Sequence, residues 1–138
     1  MKSIKIDESF EISQVTAGCM RAADAKMEGD NFLRFVESCM DMGVTTFDHA
    51  PVYGGYTCEK LSGDAVLRKR PELRQKMQLV TKTGIVLSGK YGNKTIYYNS
   101  SKEEILREMD NSLRNFGTDH VDLLLVHRPD PLADPAET

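Results

Sequence analysis

Three apolar runs of the sequence each lead to a side chain that can carry or transfer a proton. The runs end at Asp48, Lys82 and His127, and a loop carries Tyr53 five residues after the first of these. Apolar runs of this length, separated by helical patterns, are typical of buried strands in a parallel sheet. Because the site of such a sheet lies at the carboxyl ends of its strands, we expect the four side chains to share one small volume.

A carboxylate, an ammonium, an imidazole and a phenol together could polarise a carbonyl group and protonate its oxygen. A cation within a few ångström of a phenol favours the phenolate, which makes the phenol a faster acid at neutral pH. Asp48 would keep Lys82 charged and oriented, and His127 could orient a carbonyl oxygen. Each residue alone is also an ordinary strand end or turn residue, so the indication comes from the order of all four. No side chain provides a hydride, and a nicotinamide cofactor is therefore implied.

The composition is that of an ordinary globular chain, with 40% hydrophobic and 28% charged residues among 138. A net charge of −3 predicts no nucleic-acid surface. The basic residues that follow the second helical pattern fit the negative end of a helix dipole: Arg68, Lys69, Arg70, Arg74 and Lys76. The three cysteines have neither CxxC nor metal-ligand spacing, and no apolar run reaches membrane-spanning length. We expect a soluble cytoplasmic protein without metal or membrane partner.

Local patterns predict the elements that position these residues. Residues 1–13 predict a β-hairpin, and strands are predicted to end at Gly18 and at the three proton-carrying residues. A first helix is predicted with Asp30 as N-cap and Gly43 just beyond its end. Its apolar face is formed by Phe32, Val36, Cys39 and Met40.

Two further helices are predicted. Residues 59–70 form the second, although Gly63 weakens the pattern. The third begins at Ser101 with a capping box to Glu104 and ends at Gly117. Its predicted inward face comprises Ile105, Met109, Leu113 and Phe116. The long loop 84–100 contains Tyr91, Tyr97 and Tyr98, which either wall a pocket or pack on the surface.

These stretches resemble the aldo-keto reductase family of NADPH-dependent oxidoreductases, which are built on a (β/α)8 barrel. Residues 43–50 with Tyr53 and Gly54 resemble its first signature. Lys82 resembles its catalytic lysine, and residues 122–130 resemble the stretch that contains its catalytic histidine. The match follows the order and spacing of the family along essentially the whole chain.

The resemblance implies roles for the four residues. Tyr53 would be the general acid, Lys82 would assist it, Asp48 would pair with Lys82, and His127 would orient the carbonyl. The turn formed by Gly18, Cys19, Met20 and Arg21 would contact the cofactor together with Asp48. The expected cofactor is NADPH and the expected substrate is a small carbonyl compound. The N-terminal hairpin would plug the barrel floor.

The length departs from the family pattern. A (β/α)8 barrel needs about 250 residues, so residues 1–138 are expected to form a single partial domain, the N-terminal half of a barrel with about four strands. The family's residues that hold the carboxamide, stack on the nicotinamide and bind the phosphates have no counterpart here. The acid–base groups are thus expected without most of the cofactor site.

An isolated half barrel would leave an open sheet edge and an apolar face, which favour association. Three explanations stay open: a truncated form of a full reductase, a chain that pairs with itself or with a second half-barrel chain, or a non-catalytic binding module. Two functions are also compared. In an enzyme, Tyr53→Phe should abolish reduction and leave the fold unchanged, whereas in a redox-sensing or regulatory subunit the binding of a protein partner should survive the same change. The substrate is left open among aldehydes, ketones, sugars and quinones.

Overall fold

A computed structural model describes residues 1–134 and 136 of the chain. The strands are β1 (Ser3–Lys5), β2 (Glu11–Ser13), β3 (Thr16–Gly18), β4 (Thr46–Asp48), β5 (Gln78–Thr83), β6 (Ile85–Val86), β7 (Tyr97–Tyr98) and β8 (Leu123–Val126). The helices are α1 (Gly29–Asp41), α2 (Cys58–Ser62), which continues into a π-helical turn (Gly63–Leu67), a 3₁₀ helix (Pro71–Lys76) and α3 (Lys102–Phe116). Four strands form a parallel sheet in the order β3-β4-β5-β8.

The predicted N-terminal hairpin is confirmed, with β1 and β2 antiparallel and Ile4 opposite Ile12. Ser13 joins it to the start of β4. The Ser13 amide donates to Thr46 Oγ1 at 2.9 Å, and Ser13 Oγ accepts from the amides of Thr45 and Thr46 at 3.1 and 3.0 Å. The hairpin therefore lies at the end of the sheet opposite to the carboxyl ends of its strands.

The register of the sheet puts the predicted site residues on one face. Asp48 is paired with Val80, and Lys82 lies two residues further along β5 on the same face. Lys82 is paired with Leu125, and His127 follows two residues later. The ladder continues past β8, because the His127 amide donates to the Thr83 carbonyl at 2.8 Å.

The opposite face of the sheet packs on the helices. The core there consists mainly of apolar side chains from β4, β5, α1, the π-helical turn and the end of α3: Phe32, Val36, Cys39, Phe47, Val66, Leu79 and Phe116. The predicted apolar face of α1 is confirmed, as is Gly43 beyond its end with a φ of +82°. The predicted Asp30 cap is wrong. The N-cap is Glu28, which makes no side-chain cap bond, and Asp30 instead pairs with Lys69 at 2.9 Å.

The second helix is split where Gly63 lies. A Cβ on Gly63 would lie 2.8 Å from the Phe116 carbonyl oxygen and closer still to that of Asn115. The end of α3 thus packs directly onto the backbone of the π-helical turn. The weak helical signal at Gly63 therefore reflects a close approach of two elements.

The third helix begins and ends as predicted, but its capping and buried face differ. The Glu104 amide donates to Ser101 Oγ at 3.4 Å, whereas the Ser101 amide is bound by Asn99 Oδ1. Only half of the capping box is therefore present. The buried side chains of α3 are mostly polar: Glu104, Glu108, Ser112 and Phe116. The predicted inward residues Ile105, Met109 and Leu113 are only half-buried, because no element covers their side of α3 in the described part of the chain.

The basic residues after the second helix are held by ion pairs and backbone contacts. Arg68 donates to the carbonyls of Arg114 and Asn115 at the end of α3, at 2.7 and 3.1 Å. Of the predicted basic residues, Arg68 thus binds the negative end of α3, which is not the helix it follows. The ion pairs are Arg68–Asp64, Lys69–Asp30, Arg70–Glu37, Arg70–Glu72 and Arg74–Asp122.

Strands β3 and β8 are the two edges of the parallel sheet, and β8 is the edge with exposed apolar side chains. Leu124, Leu125 and Val126 keep 36%, 38% and 45% of their surface exposed. The predicted open sheet edge thus includes three apolar residues of one strand that face solvent. Among the described residues, no helix combines the length and the apolar character needed to cross a membrane.

We predict that Gly63→Ala destabilises the chain, because the added methyl group would overlap the end of α3. The expected loss in the free energy of unfolding is about 1–3 kcal/mol. Urea denaturation of both proteins measures it. Gly18→Ala is the matched control, because a Cβ at that position meets no atom within 4 Å. Equal losses for the two variants would contradict the close approach.

Candidate active site

The Lys82 ammonium is the centre of the predicted site. Its Nζ lies 2.5 Å from Asp48 Oδ1, 3.0 Å from the Tyr53 hydroxyl and 2.8 Å from the His49 carbonyl oxygen. The lysine side chain is 12% exposed, so these three partners replace most of its hydration. The structure thus brings together three of the four predicted residues at hydrogen-bonding distance.

Tyr53 is positioned by the loop that follows β4. Its hydroxyl lies 3.3 Å from Asp48 Oδ2, and the Lys82 ammonium lies 4.8 Å from the centre of its ring. The loop turns back at once, because the amides of Thr57 and Cys58 both donate to the Tyr53 carbonyl. The Tyr53 hydroxyl is therefore held by a carboxylate and a cation, and the Tyr53 backbone is held by its own turn.

His127 stands edge-on to Tyr53. The ring centroids are 5.8 Å apart at an interplanar angle of 82°. Burial lowers the pKa of His127, and the nearby cations Lys82 and Arg128 lower it further, against a smaller opposing effect of Asp48. The imidazole is therefore neutral at pH 7 and can donate one N–H to an oxygen placed beside the phenol.

Behind β5, a buried carboxylate holds the residue that precedes the lysine. Glu59 Oε1 accepts from Thr81 Oγ1 at 2.7 Å and from Ser112 Oγ at 2.8 Å, and its Oε2 accepts from Asn115 at 3.2 Å. Burial raises the pKa of the Glu59 carboxyl, while these three hydrogen bonds oppose the rise. Glu59 thereby ties α2, β5 and α3 together directly beneath Lys82.

His49 is fully buried between the site and the core. Its ring packs edge-on against Phe116, with centroids 5.1 Å apart. Burial lowers the pKa of His49 to about 3. Its Nδ1 has no hydrogen-bond partner among the described residues. The imidazole is thus neutral, and the contribution of His49 to the site is its carbonyl oxygen on Lys82.

An open cleft of about 840 Å³ lies in front of the Tyr53 hydroxyl. Its polar rim includes Arg21, Asp24 and Arg128, and no side-chain hydrogen bond or ion pair of either arginine is found in the part of the chain that the structure describes. Its apolar wall comes from the hairpin formed by β6 and β7: Ile85, Leu87, Ile96 and Tyr98. Volumes of this size suit small molecules.

The four residues of the turn predicted to contact a cofactor lie in different environments. Gly18 is paired with Asp48, and the space where its Cβ would stand is open. Met20 and Arg21 line the cleft. Cys19 is different: its side chain is buried in the core, and burial raises the pKa of its thiol to about 12. Cys19 can therefore reach the cleft only through its backbone, whose amide donates to the Asp48 carbonyl at 2.9 Å.

Most of the cleft wall was not predicted from the sequence. Of the three loop tyrosines, Tyr98 lines the cleft, whereas the Tyr91 hydroxyl lies 3.2 Å from Glu104 and Glu108 of α3. The loop contains a two-stranded hairpin, with Ile85 opposite Tyr98, that the short apolar runs 85–86 and 96–98 could have indicated. Arg128 was missed although it directly follows His127.

Comparison with known proteins decides the family. Residues 14–138 match the model of the aldo/keto reductase family. The chain belongs to this family. It is 46% identical over 137 residues to the uncharacterized oxidoreductase YcsN of Bacillus subtilis and 42% identical over 127 residues to the oxidoreductase YdhF of Escherichia coli. A 6-dehydroglucose reductase of Agrobacterium fabrum is 40% identical over 141 residues.

These aldo/keto reductase relatives are longer proteins. The chain is covered to 98%, 92% and 100% in the three comparisons, but it spans only 45%, 42% and 47% of the relatives. Among solved structures, the glycerol dehydrogenase AKR11B4 of Gluconobacter oxydans superimposes with a TM-score of 0.78 at 28% identity, over 98% of this chain and 42% of that one. The expected fold, a partial (β/α)8 barrel preceded by a hairpin, is confirmed.

We predict that His49 makes the stability of this aldo/keto reductase chain depend on pH. A histidine whose pKa falls from 6.5 to about 3 on folding stabilises the folded state above pH 6.5. That stabilisation is lost on acidification, with a slope that approaches about 1.4 kcal/mol per pH unit. Urea unfolding of the wild type and of His49→Phe between pH 7.5 and pH 4 measures the difference.

The variant keeps an aromatic ring against Phe116 but removes the proton site. Its free energy of unfolding should fall less steeply with acid than that of the wild type. The His127 imidazole contributes with the same sign in both proteins, so it cancels in the comparison. Parallel pH profiles for the two proteins would show that His49 is not buried in its neutral form.

Proposed function

We propose that the chain carries the proton-transfer groups of an NADPH-dependent reductase of aldehydes or ketones. The observation that carries this proposal is the single Lys82 ammonium that contacts both the Asp48 carboxylate and the Tyr53 hydroxyl, at 2.5 and 3.0 Å. A lysine so placed has no role in metal binding or nucleophilic attack, but it supports a phenol that releases a proton. The names of the relatives, oxidoreductases and a 6-dehydroglucose reductase, support the class of reaction.

Each side chain has a distinct role in this proposal. Tyr53 donates the proton of its hydroxyl to the substrate oxygen, which becomes the hydroxyl of an alcohol. Lys82 stabilises the phenolate that forms, and Asp48 orients the ammonium through their 2.5 Å contact. His127, neutral at pH 7, donates a hydrogen bond to the same substrate oxygen and holds it near the phenol. The hairpin wall gives one side of the cleft an apolar surface.

The residues of the cleft fit a nicotinamide cofactor. Gly18 leaves open space beside Asp48 on the face that bears the site, so a flat ring could lie there. Arg21 and Arg128 provide guanidinium groups on the rim that suit phosphate or amide oxygens. When bound, the cofactor supplies the hydride for the carbonyl carbon. We propose NADPH as this cofactor, and the cytoplasm as the compartment in which it is available.

A second candidate function is association without catalysis. The observation that favours it is the exposed apolar strand β8, with Leu124, Leu125 and Val126 uncovered. In this alternative, the chain binds a second copy or another half-barrel chain through β8, and the site residues do not act. The two functions are not exclusive, because a partner on β8 could also complete the site.

We predict that Tyr53→Phe lowers kcat for carbonyl reduction by roughly 10²- to 10⁴-fold, because it removes the proton donor. The ring and its packing on His127 are kept, so the fold should not change. Initial rates with an aldehyde and NADPH or NADH, together with circular dichroism, measure both effects. Tyr97→Phe is the control, since Tyr97 on β7 lies outside the described lining of the cleft. Unchanged turnover in Tyr53→Phe would contradict the proposed role.

We predict that the 138-residue chain binds NADPH weakly on its own and saturably when β8 is covered. A titration followed by cofactor fluorescence, with the solution mass taken by light scattering, tests this. Saturable binding by a dimer would show that a second half barrel completes the cofactor site. Partner binding without any cofactor binding would instead favour the association function. Tight cofactor binding by a monomer would contradict the prediction.

A further inference from the structure

A cluster of charged and aromatic side chains joins the cleft hairpin to the Tyr53 turn. We call Tyr56, Lys90 and Glu108 the latch. The Lys90 ammonium lies 2.9 and 2.7 Å from the two carboxylate oxygens of Glu108 on α3. The same ammonium lies 3.8 Å from the centre of the Tyr56 ring, which is a cation–π contact. One lysine of the hairpin loop therefore holds both α3 and the turn that carries Tyr53.

The latch is shielded from water. The Lys90 side chain is 17% exposed and that of Glu108 is 4% exposed. An ion pair in such a setting keeps its geometry, because either charge left alone would be costly to bury. The Tyr91 hydroxyl and the Asn111 amide also donate to Glu108 Oε1, each at 3.2 Å. The Glu108 carboxylate is thus held by Lys90 and by two further donors, one on the same loop as Lys90 and one on α3 itself.

Tyr56 has an unusual backbone that requires such support. Its φ is +73°, a left-handed value that is uncommon for a residue with a side chain. It follows Gly54 and Gly55, whose φ values are +59° and +61°. A non-glycine residue persists in this region only where its surroundings determine it. The contact between the Tyr56 ring and Lys90 provides that constraint. Tyr56 lies three residues after Tyr53 on the same turn.

A second contact links Tyr56 to the cleft wall directly. The Leu87 amide donates to the Tyr56 hydroxyl at 2.8 Å, and Leu87 lines the cleft. Asn93 closes the loop that carries Lys90, because its side chain donates to the Leu87 carbonyl at 3.0 Å and its own carbonyl accepts from Gly89 at 2.8 Å. The wall and the proton donor are therefore joined through one aromatic ring.

We propose that Tyr56, Lys90 and Glu108 are positioning residues that set the distance between the apolar wall of the cleft and the Tyr53 hydroxyl. This proposal rests on the function proposed above. The latch fixes the wall residue Leu87 and the Tyr53 turn to the same point on α3. The width of the cleft then determines which carbonyl compounds are reduced, with bulky apolar aldehydes more sensitive to the latch than small ones. None of the three side chains touches the reacting atoms.

The first test measures amide hydrogen exchange and needs no turnover. The variant is Lys90→Met with Glu108→Gln, which removes both charges and leaves no buried charge unpaired. Exchange should become at least about tenfold faster at residues 54–57 and 85–96, while β4 and β5 stay protected. Lys69→Met with Asp30→Asn removes a surface ion pair in the same way and is the matched control. Lys90→Arg should keep the protection.

The second test compares the reduction of propanal and benzaldehyde by the same variants. The latch variant should lose about ten- to a hundredfold in kcat, and the benzaldehyde-to-propanal ratio of kcat/KM should change, whereas the control variant keeps both. Faster exchange at residues 85–96 alone, with residues 54–57 unchanged, would overturn the proposal, as would an unchanged ratio. If the wild type reduces neither aldehyde, the exchange result still tests the latch, and only the proposed function fails.

Discussion

The site depends on the burial of one ammonium group. Lys82 projects from the middle of a parallel sheet, where little water reaches its ammonium group, and three oxygens surround that group instead. Two of these oxygens belong to β4 and its following residue, and the third belongs to the loop beyond. A shift of β4 against β5 by one residue would turn Asp48 to the helical face and leave the lysine without its carboxylate. The register of β4 against β5 therefore determines whether the carboxylate and the ammonium of the site can meet.

The helices support this constraint from the other side of the sheet. Thr81, the neighbour of Lys82, points away from the cleft and donates to Glu59, which also holds α3 through Ser112. Strand β5 is thus held by a carboxylate on each face of the sheet. Asp48 contacts Lys82 on the cleft face, and Glu59 contacts Thr81 on the helix face. Because α3 also carries Glu108, the same helix anchors the floor of the site and the hairpin that walls it. Helix α3 therefore supports both the strand that carries Lys82 and the hairpin that lines the cleft.

The uncovered strand β8 marks the limit of this arrangement. His127 is placed by backbone pairing to Thr83, yet the strand that carries it has no neighbour on its outer side in the described part of the chain. The chain spans only 45% of the relative from Bacillus subtilis. The residues proposed to transfer the proton lie on these strands and on the loop after β4, whereas the cleft in front of them is open.

The sequence by itself determined the order of the four parallel strands and the helices between them, and the family, because apolar periodicity and short motifs are local properties. It placed three of the site residues at strand ends and the fourth, Tyr53, on a loop. It also located Gly43, Ser101 and Gly117 at helix ends, where backbone geometry selects the residue. Only the tertiary structure decided that Cys19 turns into the core, that α3 buries carboxylates instead of its apolar stripe, and that Tyr56 meets Lys90. Those outcomes depend on which elements pack together. Contacts such as Lys90 to Glu108 join residues 18 positions apart, and no local pattern encodes them.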